Sequence, residues 1–381
     1  MSQEANVDRL AQIRKDIDSL DKDLLALLNR RAGLSLEVGR IKAGGDGKIY
    51  KPRRELEVLD KLCACNSGPL SDDHLRNIWR EIFSSSRELQ RPQHVAYLGP
   101  EGTFSYFAAV EYLGRAVNYQ PCRDLPEVFA SVVDGQCSLG VVPLENSLQG
   151  TVGVSFDLFF KHDVRIQAEL FLHISHCLLS NETDLSSIRT VYSHPQPLMQ
   201  CGSWLRTHLP EAHLVPTDST AAAAIRASEE PNAAAVGNIS LATMHDMNVL
   251  ARAIEDDAGN WTRFVLISTP GAETENVLSP LPGRDGDEKT SLLFTLQDKP
   301  GALSTVLNSL ARANVNMRKL ESRPMRGERW KYVFFTDVEC NLRQPRYAGL
   351  VEELRSVCAS FRILGSYTAG IQLDRVHLEN S

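Results

Sequence analysis

Between Val7 and Lys42 no proline interrupts a spacing of apolar residues by threes and fours, at Leu10, Ile13, Ile17, Leu20, Leu24, Leu27, Leu34, Val38 and Ile41. This is the period of an amphipathic helix, and it predicts one unbroken helix over the whole stretch. At about 1.5 Å per residue the helix is roughly 50 Å long, more than the diameter of a small domain, so its apolar stripe outruns any single core. Helices expected at about 53–64 and 71–90 cover part of the stripe, and a second copy of the chain is the simplest cover for the rest. The expectation for residues 1–91 is an all-α, three-helix module forming an intertwined homodimer, with pairing of dimers into a tetramer left open.

At 381 residues the chain exceeds one ordinary core, so two or three domains are expected. A net charge of −7 argues against a nucleic-acid partner, which would need a basic surface. The charge is uneven: residues 1–91 hold 17 Lys and Arg against 15 Asp and Glu, a net +2, and the remainder carries −9. No apolar run is long enough for a membrane span, and residues 1–9 are too polar for a signal peptide. A cytoplasmic protein with no membrane partner is expected. The eight cysteines are scattered, and Cys63 and Cys65 lack the further ligands a metal site requires, so reduced thiols and no metal or cofactor are expected.

From His94 the pattern changes to short apolar runs (95–98, 139–142, 233–236) alternating with helical stretches, the grammar of parallel α/β sheets. Residues 94–269 fit two such lobes with a cleft between them. Residues 270–289, rich in Pro and Gly among acids, read as a linker. From 290 the order strand, helix, strand, strand, helix, strand predicts a ferredoxin-like α+β module to residue 368, followed by a tail at 369–381.

Several strand ends in the middle module open into small polar residues that start helices: Thr103 and Ser105 after Gly99-Pro100-Glu101-Gly102, and Ser219 and Thr220 before a run of alanines. Free amides at helix N-termini hold anions, so these loops suit a dicarboxylate. The stretches Glu145-Asn146-Ser147, Ser193-His194-Pro195-Gln196 and Asn260-Trp261-Thr262-Arg263-Phe264, in that order and spacing, resemble the motifs of prephenate dehydratase. The resemblance extends over nearly the whole chain, to the bifunctional chorismate mutase/prephenate dehydratases that carry a regulatory ACT domain. It implies two lobes like those of periplasmic binding proteins. It also implies loss of the ring hydroxyl and carboxylate of prephenate to give phenylpyruvate. A catalytic part falls to Thr262 at the leaving hydroxyl, with Glu145 supplying a proton through water. Arg263 either binds a carboxylate or braces the loop. Phe264, Asn146, Ser147, Ser193, His194 and Gln196 would hold substrate with Thr103, Ser105, Ser219 and Thr220.

In the front module Arg31 and Lys42 lie 11 residues apart, about 20° net around an ideal helix, and share a face. Arg14 sits about 100° away and does not easily serve the same pocket, whereas in a dimer of crossed helices it could reach the pocket of the partner copy. The segment resembles the all-helical chorismate mutases at Arg14, Arg31, Lys42, Arg54, Glu55, Ser86 and Gln90, with Lys51 standing where that family often has an acid. Chorismate rearranges in one pericyclic step, so the resemblance implies that arginines clamp its carboxylates while Lys42 and Gln90 face the ether oxygen and Glu55 the ring hydroxyl. In the back module, Gly301-Ala302-Leu303 and Glu321-Ser322-Arg323-Pro324 resemble the phenylalanine-binding motifs of ACT domains, implying feedback by L-phenylalanine. Two rival readings stand beside this one. They are a monofunctional dehydratase whose front helices only dimerise, and a non-enzymatic sensor of small ligands.

Overall fold

The computed structural model describes the backbone of residues 2–43, 53–90, 93–270, 288–325 and 331–373, without the side chains of 2–5, 42–43, 53–57 and 371–373. The chain forms two compact units, residues 1–93 with 114–117, and the remainder.

The first unit is three helices, α1 (Ser2–Ala43), α2 (Arg53–Cys65) and α3 (Asp72–Gln90). Asp72 and Asp73 sit in the first turn of α3, where negative charge favours the helix dipole. α1 approaches α3 closely at Gly39, where a Cβ would lie 3.0 Å from the Cα of Gln90. The apolar stripe of α1 is left bare by its own chain: from Leu10 to Ile41 its nine residues are between 39% and 66% exposed.

The second unit opens with β1 (His94–Leu98), α4 (Phe104–Leu113), β2 (Asn118–Cys122), α5 (Leu125–Val133), β3 (Leu139–Asn146), the short β4 (Gly150–Thr151), α6 (Gly153–Lys161) and β5 (Arg165–His173). It crosses into a second lobe of β6 (Cys177–Ser180), β7 (Thr190–Ser193), α7 (Pro195–Gln200), α8 (Gly202–His208), β8 (His213–Pro216), α9 (Thr220–Glu229), β9 (Ala233–Gly237), α10 (Ser240–His245) and β10 (Asn248–Ala251). It then returns to lay β11 (Trp261–Ser268) between β3 and β5, antiparallel to both. The expectation of parallel sheets is corrected here, because both lobes are mixed: β6 pairs antiparallel with β9 and β10, while β1, β2 and β3 and likewise β7, β8 and β9 run parallel. Short apolar runs read alike in either direction. The antiparallel strands arise where the chain crosses between lobes, a long-range event with no local signature.

The back module follows the expected order, with β12 (Glu288–Thr295), α11 (Ala302–Arg312), β13 (Met317–Pro324), β14 (Tyr332–Val338), α12 (Ala348–Val357) and β15 (Ser360–Thr368). Its sheet runs β13-β14-β12-β15, so β13 is an edge. The strand begins two residues inside the expected linker; 271–287 lie outside the described residues. The expected tail is corrected in part, since β16 (Ile371–Leu373) pairs with β5 and extends the first lobe's sheet to the order β16-β5-β11-β3-β1-β2.

Alternate residues of a strand face opposite sides, and the back module uses both. Leu292 and Phe294 pack under α11 and α12. Leu293, Val333, Phe335, Leu364 and Tyr367 instead join Val142, Leu144, Phe156, Val265 and Ile267 of the first lobe in one core. Phe156 and Phe335 meet edge to face with ring centroids 4.5 Å apart. Middle and back modules therefore share a continuous apolar interior.

Candidate active site

A cavity of about 410 Å³ opens between the two lobes of the second unit. The starts of three helices reach it: Thr103, Phe104 and Ser105 at α4, Gln196 and Pro197 at α7, and Ser219 and Thr220 at α9. Gly102, at φ +88°, makes the turn into α4 in a conformation that side chains disfavour. The Thr103 hydroxyl donates to the Leu98 carbonyl at 2.8 Å, and Ser219 Oγ accepts from the Ala222 amide at 3.0 Å. His194 caps α7, its Nδ1 accepting from the Gln196 amide at 3.3 Å, which fixes that nitrogen as an acceptor.

The opposite wall is built by β3 and β11, where Asn146 stands across from Thr262. The Asn146 side-chain amide donates to Thr262 Oγ1 at 2.9 Å and to Asn260 Oδ1 at 2.7 Å, while its Oδ1 accepts from the amides of Leu148 and Gln149. Because Thr262 Oγ1 is the acceptor in that pair, its own hydrogen is left for the cavity. Phe264, one alternation further, supplies an apolar floor. Of the middle-module candidates, Thr103, Ser105, Asn146, His194, Gln196, Ser219, Thr220, Thr262 and Phe264 line this one space.

Four candidates do not. Ser147 Oγ donates to the Gly259 carbonyl and accepts from the Trp261 amide, each at 2.8 Å, bracing the loop before β11. Ser193 is fully buried and donates to the Val236 carbonyl at 2.7 Å, joining two strands. Glu145 pairs with Lys319 of the back module at 2.8 Å. Arg263 faces away from the cavity and is 4% exposed, bridging Glu169 and Asp337 at 2.6 Å each. Burial opposes its charge, but those two carboxylates outweigh burial and hold its pKa above the ordinary value. Arg263 thus stands as a brace, the second of the two roles expected for it, and Glu145, expected to supply a proton through water, is held by Lys319 outside the cavity lining. The reason is strand alternation: residues next to Asn146 and Thr262 must point to the other face.

Arg123, Gln149, His176, Gln200 and Asp218 also line the cavity and were not singled out as site residues. Arg123 supplies the one guanidinium and Asp218 the one carboxyl among the described lining residues. His176 is 1% exposed, its Nε2 lies 3.0 Å from Gln200 Oε1, and burial pushes its pKa down despite that bond and the nearby Glu255, leaving a neutral imidazole. His176 sits in the lobe crossing next to an unremarkable apolar run, so nothing in the local sequence marks it.

In the first unit the structure brings Arg31 and Ser86 together: the guanidinium donates to Ser86 Oγ and lies 5.4 Å from the centre of the Phe83 ring. Ser86 Oγ in turn donates to the Ile82 carbonyl at 2.7 Å. Gln90 follows Ser86 by one helical turn on α3, beside Gly39. Arg14 is exposed on α1 and far along it from Arg31. The side chains of Lys42, Arg54 and Glu55, and all of Lys51, lie outside the described residues.

In the back module Gly301 takes a left-handed φ of +80° and caps α11, followed by half-buried Ala302 and Leu303. On β13, Ser322 and Pro324 are exposed, while Glu321 and Arg323 face the first lobe. Arg323 lies against Gly153 at the start of α6, with Nε 3.6 Å from Asp157.

Among the described residues no cluster of His, Cys, Asp and Glu could hold a metal, and no helix is long and apolar enough to cross a membrane. All eight cysteines are free.

Comparison with known proteins matches three family models in order: chorismate mutase type II at residues 13–91, prephenate dehydratase at 95–272 and the ACT domain at 290–358. A bifunctional chorismate mutase/prephenate dehydratase of Aquifex aeolicus is 37% identical over 365 residues, covering 95% of this chain and 98% of the relative. One from Pseudomonas aeruginosa is also 37% identical, over 373 residues, covering 96% and 100%. The solved prephenate dehydratase of Arthrobacter aurescens in complex with L-Phe superposes with a TM-score of 0.63 at 34% identity, covering 72% of this chain and 89% of that one. The chain belongs to the family of bifunctional chorismate mutase/prephenate dehydratases.

Proposed function

We propose that the chain runs two successive steps of phenylalanine biosynthesis, chorismate to prephenate in the first unit and prephenate to phenylpyruvate in the cavity of the second, under feedback by L-phenylalanine. The pairing of Thr262 with Asn146 on the wall of the cavity carries the reading of the second step.

Prephenate loses its ring carboxylate as carbon dioxide, the electrons of that bond enter the ring, and hydroxide leaves from the opposite carbon. Aromatisation drives the step, so the protein has to help hydroxide depart. With Asn146 donating to its oxygen, Thr262 directs its hydrogen at the departing hydroxyl. A threonine is too weak an acid to give up that proton, so Thr262 steadies the departing hydroxide by a hydrogen bond and leaves its protonation to solvent. Arg123 and the starts of α4 and α9 supply positive potential for the side-chain carboxylate. Phe264 and Ile174 keep the ring's surroundings dry, which strengthens each of these contacts.

The mutase step is one of positioning. Arg31, steadied by Ser86, takes a substrate carboxylate, and Gln90 faces the ether oxygen. Arg14 serves the pocket of a second copy, and the bare stripe of α1 is the surface by which two copies intertwine. The homodimer acts in the cytoplasm, where its eight thiols stay reduced.

Supplying chorismate to the purified protein tests the reading. Prephenate and then phenylpyruvate are expected. Conversion of supplied prephenate alone would leave only the dehydratase, and no conversion of either would leave a sensor.

A further inference from the structure

Thr262 and Arg263 are neighbours on β11, and Asn146 and Glu145 are neighbours on β3. In each pair one member faces the cavity and the other faces the sheet of the back module. Arg263 Nη1 reaches Asp337 Oδ2 on β14 at 2.6 Å, and its Nη2 meets both Glu169 Oε2 at 2.6 Å and Tyr367 OH at 3.1 Å. Ser291 ties Asp337 to Tyr367 through its hydroxyl, and Lys289 Nζ holds the other oxygen of Glu169 at 2.7 Å. Glu145 is held by Lys319 on β13, the strand that also carries the Glu321–Pro324 stretch.

Three charged groups of the back module are thus fastened directly behind the cavity wall. Arg263 and Asp337 are 4% and 1% exposed, so the pair is dry and resists small displacements; a shift of β14 moves its guanidinium and with it the strand bearing Thr262. Ordinary domain cohesion is already provided by the shared apolar core and does not call for buried charge next to the reacting hydroxyl.

We propose that Arg263 is a positioning residue that holds Thr262 from the reverse face of β11, and that its pair with Asp337 is the contact through which an amino acid bound to the back module slows the dehydratase. The regulatory half rests on the feedback reading given above; the positioning half does not.

The test uses the full-length protein with Asp337→Asn, and with Tyr367→Phe as a milder change that leaves both carboxylates in place. Dehydratase kcat and KM, mutase rate, phenylalanine binding by equilibrium dialysis and inhibition by saturating phenylalanine are measured in each. Asp337→Asn is expected to lower dehydratase kcat about tenfold with KM little changed, as loss of an interaction felt in the transition state requires. It should still bind phenylalanine, while an inhibition of about 5- to 150-fold in the wild type collapses toward none. Mutase rate, read from the other compact unit, should stay constant. Full inhibition and normal kcat in a variant that binds phenylalanine would overturn the proposal. If Asp337→Asn fails to fold, shown by loss of dehydratase activity and of phenylalanine binding together, Tyr367→Phe decides: weakened inhibition at unchanged binding supports the proposal, and unchanged inhibition overturns it. A wild-type protein that binds no phenylalanine sinks the feedback reading and the regulatory half with it, while kcat still judges the positioning half.

Discussion

Thr262 has a hydroxyl of ordinary strength, and what distinguishes it is that Asn146 occupies its acceptor side and so orients its donor side. A group needed only to donate to a leaving hydroxyl should be replaceable by another hydroxyl and not by a methyl. Thr262→Ser is expected to keep most dehydratase activity, whereas Thr262→Val should lower kcat by about 10²- to 10³-fold, the usual range for a lost hydrogen-bond donor to developing negative charge, with the mutase rate as control. Comparable loss in both variants would take the hydroxyl out of the reaction. His176 offers a second test. Burial holds its folded pKa below the unfolded value of about 6.5, so between those two values the unfolded chain binds the extra proton. Stability carried by the neutral imidazole is complete above about pH 6.5 and falls as pH drops toward the folded pKa. Thermal unfolding followed from about pH 7.5 to about pH 5 should therefore show a steeper loss for the wild type than for His176→Gln, and parallel curves would contradict it.

At the scale of elements, α1 is the clearest case of a helix whose stability cannot come from its own chain, because its whole stripe lies open. Leu24→Glu puts a charge at a stripe position 54% exposed in the isolated chain. If the stripe is a dimer face, sedimentation velocity should show monomers and mutase activity should fall at least about tenfold, since a pocket that borrows Arg14 is lost, while the dehydratase survives. A monomeric wild type would refute this. The helices and the regulatory module were legible because their periods are local: three-and-four spacing for α1, and the strand-helix order from 290 onward. Alternation also puts Thr262 and Arg263 on opposite faces of β11, although both stand among the expected site residues above. What alternation could not reveal is that another sheet covers the second face, and so that Arg263 and Glu145 pair with Asp337 and Lys319. Nor could it show β11 entering between β3 and β5, or β16 returning to β5, because such pairings join residues distant in sequence. Arg123 escaped notice for a related reason: an exposed arginine after a short strand resembles any surface arginine until the lobes are placed.

At the scale of the molecule the chain forms two compact units, and the proposed function gives them two different kinds of site, one of fixed cations for a pericyclic shift and one of oriented hydrogen-bond donors for an elimination. Each chemistry suits the residues that its own unit supplies, so the two activities should be separable by substitution and joinable by diffusion of prephenate. Arg31→Ala removes a clamp of the first site, and Thr262→Ala removes the donor of the second. The most direct test is a time course of chorismate consumption and phenylpyruvate formation with each variant alone and with the two mixed. Thr262→Ala alone should accumulate prephenate, Arg31→Ala alone should leave chorismate nearly untouched, and the mixture should form phenylpyruvate. Loss of both activities in either folded variant, or a mixture that makes no phenylpyruvate, would contradict two separate sites joined by a shared intermediate.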